Sequence, residues 1–109
     1  MQLDKIKCTP CQGGIPPMTP AEAEQHLAQV PGWSLEENAS KIKRTFKFDN
    51  FVDALVFTNQ VGALCEDEGH HADIQLGWGY VKVYFQTHKI EGLHLNDFVM
   101  AAKVNQLAH

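Results

Sequence analysis

Three histidines carry the chemistry this chain is best equipped to do. His70 and His71 are adjacent, His88 lies further along, and Glu66 stands one helical turn before His70. Imidazole titrates near ~6.5, so close to neutral pH one ring can donate a proton while another accepts one. A cluster of His70, His71 and His88 beside a carboxylate suits proton transfer to and from a bound small molecule. The same side chains, with Glu66 or Asp73, could instead ligate a metal ion. Strand geometry disfavours that use. Neighbouring strand residues point to opposite faces, so His70 and His71 could share an ion only at a bend near Gly69. A module that binds a ligand without transforming it is the third class, with Gln75, Lys82 and Tyr84 lining its site. His26, His94 and His109 read as a surface helix residue, a cap and a terminal residue.

The segment 72–87 has to bring the histidines together. Gly79-Tyr80 is a Gly-X pair suited to a two-residue type II′ loop. With that loop, Trp78 faces Val81, Leu76 faces Val83, Ile74 faces Phe85 and Ala72 faces Thr87. The opposite face pairs Gly77 with Lys82, Gln75 with Tyr84, Asp73 with Gln86 and His71 with His88. A loop centred on Trp78 would set Ile74 against Lys82 and Gln75 against Val81, mixing polar and apolar residues on both faces. A slip of this kind turns side chains to the wrong face, so the Gly79-Tyr80 register is expected. It makes His71 and His88 cross-strand neighbours, with Cβ atoms about 4.5–5.5 Å apart.

The other elements follow from caps and periodicity. Thr19, Pro20 and Glu22 form a capping box with proline at the first helical position, and Pro31-Gly32 closes that helix. A short strand is expected over 33–37 and a turn over 37–40. The run 41–48 alternates, with Ile42, Arg44, Phe46 and Phe48 on one face and Lys41, Lys43, Thr45 and Lys47 on the other. Asp49 then caps a helix over about 50–68, whose buried stripe takes Phe51, Ala54, Leu55, Val61, Leu64 and Cys65. Gly69 is its C′ residue. The apolar residues Val52, Val56 and Phe57 widen that stripe and belong either to the core or to an interface. A last helix over about 95–108 starts at His94, with Asp97 on its positive end and Phe98, Ala101, Ala102 and Leu107 facing inward.

The 109 residues fit one domain over 19–109, preceded by a flexible Gly- and Pro-rich leader over 1–18 that carries the pair Cys8 and Cys11. A net charge of −4 with nine scattered Lys and Arg excludes a basic face for nucleic acid. No stretch approaches the ~20 apolar residues of a membrane span. The first residues lack the apolar core of a signal peptide, which points to the cytoplasm. Three cysteines, Cys8, Cys11 and Cys65, do not make a disulfide framework, and one CxxC without a second pair does not make a structural zinc site.

The run Glu66-x3-His70-His71-x6-Trp78-x9-His88-x8-Asp97 resembles the signature of the pterin-4a-carbinolamine dehydratases. Pro31-Gly32-Trp33, Phe46-x-Phe48-x-x-Phe51, Thr87-His88 and Gly92-Leu93 extend the likeness from about Thr19 to the C-terminus. The resemblance implies an α+β fold, a four-stranded antiparallel sheet with helices packed on one face as a two-layer α/β sandwich. It implies a hydro-lyase that converts 4a-hydroxytetrahydrobiopterin to the quinonoid dihydropterin and water. Such an enzyme needs neither metal nor organic cofactor and recycles the pterin of aromatic amino-acid hydroxylases. By position, His70 and His88 would be the acid–base pair and His71 would hold the pterin. Glu66 and Asp97 would orient or bias the imidazoles. Gly69, Gln86, Thr87 and Lys89 would join the histidines around the substrate. Members are commonly homodimers or homotetramers that meet through the sheet edge and the second helix. Ala72 stands where the family usually has proline, and His94 where it usually has a serine cap. The leader has no counterpart in the animal members, and their coactivator role is not carried over.

Overall fold

A computed structural model describes residues 3–8 and 15–108 of the chain. Cys11 and His109 lie outside the described residues. Helix α1 spans Pro20–Leu27, and Thr19 and Glu22 cap it reciprocally as the sequence implies. Strand β1 is Ser34–Glu36 and β2 is Lys41–Lys47. Between them Glu37, Asn38 and Ala39 all have positive φ, which turns the chain without a glycine. Helix α2 spans Phe51–Glu68, β3 Asp73–Gly77, β4 Tyr80–Phe85 and α3 Leu95–Leu107.

The four strands form one antiparallel sheet in the order β1-β2-β4-β3. One face is apolar: Ile42 opposes Phe85, Phe46 opposes Val81, and Ile74 and Leu76 oppose Val83 and Val81. The other face carries Lys43, Thr45, Gln75, Lys82 and Tyr84. The helices cover only the apolar face. Ala54, Phe57, Val61 and Cys65 of α2 and Phe98, Val99, Ala101 and Ala102 of α3 share a core with Val81, Val83 and Phe85. Burying each of the larger side chains stabilises the fold by about 1.5–3 kcal/mol. Arg44 lies on the same face as Ile42 and Phe46. Its guanidinium carbon lies 4.5 Å from the centre of the Phe46 ring, and Nη1 donates to the Asn105 side chain at 2.7 Å.

Three expectations need correcting. The hairpin turns at Trp78-Gly79, so Gly77 opposes Tyr80 and Leu76 opposes Val81. The register is displaced by two residues from the expected one. A shift of two keeps every side chain on its face, so alternation alone does not distinguish the two registers. Positive φ falls on the second loop residue, Gly79 at +77°, rather than on the first. The cap of α2 is Asn50, whose side chain accepts from the Asp53 N–H at 2.8 Å, and not Asp49. The buried stripe of α2 holds Phe57 in place of Phe51 and Leu55, which are 42% and 40% exposed. Two adjacent apolar stripes run along this helix, and periodicity does not say which one meets the sheet.

The described part of the leader is also not loose. Leu3 begins a 3-10 turn, Leu3–Lys5, and its side chain is buried in the core. Among the described residues no helix is long and apolar enough to cross a membrane.

Candidate active site

The end of α2 places His70. Gly69 adopts the left-handed conformation at φ 69° and donates to the Cys65 carbonyl at 2.9 Å. That conformation ends the helix and turns His70 away from the helical path. Its ring stacks on Phe85 of β4, with centroids 6.1 Å apart and planes 16° apart. His70 Nε2 meets Asp97 Oδ1 at 2.6 Å.

Asp97 is fully buried in the first turn of α3. Its Oδ2 accepts from Thr87 Oγ1 at 2.8 Å and from the His94 N–H at 3.0 Å. With both oxygens engaged as acceptors, the carboxylate assigns the proton of a neutral His70 to Nε2 and leaves Nδ1 as the acceptor of the ring. His94 closes the cap, its Nδ1 accepting from the Asn96 N–H at 3.1 Å.

His88 arrives from a different element. After β4, Thr87 and Gly92 pair as an isolated bridge, and His88–Ile90 between them form a 3-10 turn. His88 is exposed at the start of this turn. Extending the observed register past Asp73 and Tyr84 sets His71 opposite Gln86 and His70 opposite Thr87. His71 and His88 are therefore not the cross-strand pair that the sequence implies.

The three histidines nevertheless line one cleft of about 500 Å³. Gly69, Gln86, Thr87 and Lys89 line it too, so every expected substrate-contacting position falls there. Each of the two carboxylates contacts one imidazole. Asp97 holds His70 from behind, whereas Glu66 pairs with His71 in a largely exposed contact. Helical spacing put Glu66 beside His70, but the turn at Gly69 breaks that spacing.

Four lining residues were not among the expected substrate contacts: Cys8, Glu68, Ala72 and Asp73, the last considered in the sequence only as a metal ligand. Glu68 had a legible signal. With Glu66 and Asp67 it forms an acidic run in the last turn of α2, where no basic residue stands and the helix dipole opposes negative charge. Such a carboxylate needs a cation from elsewhere. Lys103 Nζ supplies one, donating to Glu68 Oε2 at 2.8 Å. The hydrogen bond from the Cys8 backbone and the one from Lys103 hold the Glu68 carboxyl below its ordinary range. Burial, and next the Glu68 charge, push the Cys8 thiol up to about 11, so it faces the cleft as a neutral group. Among the described residues no three His, Cys, Asp or Glu side chains converge as metal ligands.

The cleft can thus offer a ligand one imidazole backed by a buried carboxylate and a second on an opposing loop. Known proteins resemble the chain closely. The family model described as pterin 4 alpha carbinolamine dehydratase matches residues 16–107. A Methylococcus capsulatus protein, named within the pterin-4-alpha-carbinolamine dehydratases, is 65% identical over 97% of this chain and 93% of its own. A Halorhodospira halophila protein named likewise is 58% identical, covering 98% of both. A transcriptional coactivator/pterin dehydratase from Brucella melitensis superposes with a TM-score of 0.80 at 30% identity, over 85% of this chain and 99% of that one. A pterin dehydratase-like RuBisCO assembly factor of the alpha-carboxysome gives a TM-score of 0.61 at 23% identity over 71% of this chain, a likeness of fold alone. The matched region contains every residue of the cleft except Cys8, and relatives this similar span nearly the whole chain: it belongs to the pterin 4 alpha carbinolamine dehydratase family.

Proposed function

We propose that the chain dehydrates a pterin-4a-carbinolamine, 4a-hydroxytetrahydrobiopterin or a close analogue, to the quinonoid dihydropterin and water. The observation that carries this reading is the contact of His70 with buried Asp97 at 2.6 Å, at the rim of a cleft that His88 also lines. The hydroxyl on carbon 4a is a poor leaving group until it gains a proton. As the carbon–oxygen bond breaks, the adjacent ring nitrogen loses its proton and its electron pair forms the new double bond. One proton is given and one taken, and nothing is oxidised or reduced, so the net reaction calls for neither a metal nor an organic cofactor. Two imidazoles of opposite protonation state satisfy it. His70 and His88 are the acid–base pair, and His71 holds the pterin with Gly69, Gln86, Thr87 and Lys89. The product, once a separate reductase has returned it to the tetrahydropterin with a hydride donor, serves an aromatic amino-acid hydroxylase in the cytoplasm.

Self-association belongs to the same reading. Phe51, Val52, Leu55 and Val56 leave an apolar face of α2 exposed, Val52 by 67%, as a homodimer or homotetramer contact would need. A second function, binding pterin as an accessory protein without turnover, would use the same cleft. One experiment separates the two. His88→Ala should abolish dehydration and keep pterin binding measurable, and unchanged turnover would refute the acid–base assignment. Stoichiometric zinc in the purified protein would count against a metal-free reaction.

A further inference from the structure

The amino-terminal segment reaches the cleft by a series of specific contacts. Leu3 is 3% exposed and Ile6 packs on the same core. The Ile6 N–H closes the turn on the Leu3 carbonyl at 3.1 Å. Two residues on, the Cys8 N–H donates to Glu68 Oε1 at 3.0 Å, and Cys8 Sγ lies 3.9 Å from the Asn96 carbonyl. This brings Cys8 into the cleft wall beside Gly69 and His70. Further along, Met18 N–H donates to the Leu93 carbonyl at 2.9 Å. Pro17 covers Gly92 so closely that a Cβ there would lie 2.4 Å from Pro17 Cβ. The segment therefore touches both the helical side of the cleft and the loop that carries His88.

Glu68 gathers these contacts. Its side chain is 5% exposed, with Lys103 Nζ at 2.8 Å and Lys7 Nζ at 3.8 Å. It stands immediately before Gly69, at the helix end that aims His70. Lys103 stands on α3, the helix that carries Asp97. One carboxylate thus joins the leader, the end of α2 and α3.

We propose that Glu68 is a positioning residue that seats residues 3–8 as one wall of the pterin cleft, with Cys8 as the residue in contact with the ligand. The inference rests on the pterin reading above and goes beyond it, because it assigns substrate fit to Cys8, which lies outside the matched family region. The wall is small and carries no charge at Cys8, so it bounds the ligand by size. Bulk added at Cys8 must exclude the flat ring system, and loss of the Glu68 anchor must let the wall drift. Both changes weaken binding more than they slow the chemistry.

The test uses the full chain with Cys11→Ser, so that Cys8 is the thiol open to labelling while Cys65 stays buried. N-ethylmaleimide modification of Cys8 is followed by mass spectrometry with and without saturating 7,8-dihydrobiopterin, whose binding is measured separately by fluorescence quenching. Bound pterin should slow Cys8 labelling on the order of tenfold. Glu68→Gln should speed labelling and raise KM on the order of tenfold, with a smaller change in kcat. Cys8→Trp, which leaves the Glu68 anchor in place, should raise KM in the same way. Bound pterin that leaves Cys8 labelling unchanged would overturn the wall, as would wild-type KM in both variants. A wild-type chain that binds no pterin would instead refute the functional reading on which the inference stands.

Discussion

Replacing Asp97 with asparagine tests the centre of the proposed site with a change of one atom. Asp97 Oδ2 accepts from Thr87 Oγ1 at 2.8 Å and from the His94 N–H at 3.0 Å, while Oδ1 meets His70 Nε2 at 2.6 Å. An amide has only one acceptor oxygen. Placed at Oδ2, it keeps Thr87 and His94 and turns its NH2 towards His70. Two donors then face each other, so His70 must move its proton from Nε2 to Nδ1. On the acid–base role proposed for His70, the nitrogen left to the ligand changes from acceptor to donor. A hydrogen bond to a charged group is worth about 1.5–3 kcal/mol, roughly one to two decades in rate if it is needed only in the transition state. Losing the correct tautomer removes general-base catalysis worth about 10²–10⁴-fold, so kcat should fall on the order of a hundredfold or more. Stability should fall by only about 1–3 kcal/mol, because two of the three donors keep a partner. Asp97→Ala orphans all three donors in the interior and should cost more stability for a similar loss of rate. The assay is dehydration of freshly generated carbinolamine at saturating substrate, beside a thermal melt of each variant. A folded Asp97→Asn chain that turns over like the wild type would refute the role given to the His70–Asp97 contact.

Other expectations are independent of that one. Gly69→Ala should cost about 1 kcal/mol in a denaturant melt, since the backbone sits at φ 69° although no atom lies within 4 Å of the added Cβ. Thr19→Ala should cost about 1 kcal/mol of stability through the lost cap, with dehydration unaffected because no residue of α1 lines the cleft. The Glu68 carboxyl is held below its ordinary value of 4.5, by the Cys8 backbone hydrogen bond first and Lys103 next. A depressed carboxyl contributes stability that is complete above that value and is lost as pH falls through the folded one. Urea midpoints between pH 3 and 7 should therefore fall less steeply on acidification in Glu68→Gln, and parallel profiles would show that the buried pair does not couple to folding.

Much of the scaffold was legible because each element carries a local signature. The Thr19-Pro20-x-Glu22 box, the alternation of β2 and the His94–Asp97 cap all recur in the structure at the residues that announce them. The hairpin was legible only in part. Its faces follow from a period of two, but sliding one strand by two residues preserves the faces, and only the turn chemistry chooses between registers. Assigning Gly79 to the first loop position displaced the pairing. The histidines still converge, for a reason the strand pattern does not contain: the 3-10 turn after Thr87 carries His88 to the cleft, and the left-handed Gly69 swings His70 towards Asp97. Both features are local departures from regular structure, which periodicity does not register. The leader was missed for a different reason. A Gly- and Pro-rich stretch has no period, yet Leu3 and Cys8 are held by tertiary contacts that composition cannot express.

Asp97 and Glu68 show how a helix end decides what an acidic residue can do. Asp97 sits at the N-terminal end of α3, where the dipole and the His94 N–H favour a negative charge. Its local environment already stabilises it, so the oxygen turned to His70 is available to orient an imidazole. Glu68 sits at the opposite kind of end, the C-terminal turn of α2, where the dipole disfavours it. Burial at 5% exposure worsens the position, and only Lys103, Lys7 and the Cys8 N–H make it tenable. A glutamine there would avoid the charge and still hydrogen-bond, so local stability does not account for the carboxylate. What the charge does achieve is to draw two cations and a backbone donor from two segments, the leader and α3, to the end of α2 at the cleft wall. An acidic residue placed against its helix dipole, and bound by partners distant in sequence, is therefore better read as a clasp between segments than as a helix residue. Glu66, by contrast, is exposed, and among the described residues its side-chain partner is His71, so it does not join distant segments in this way.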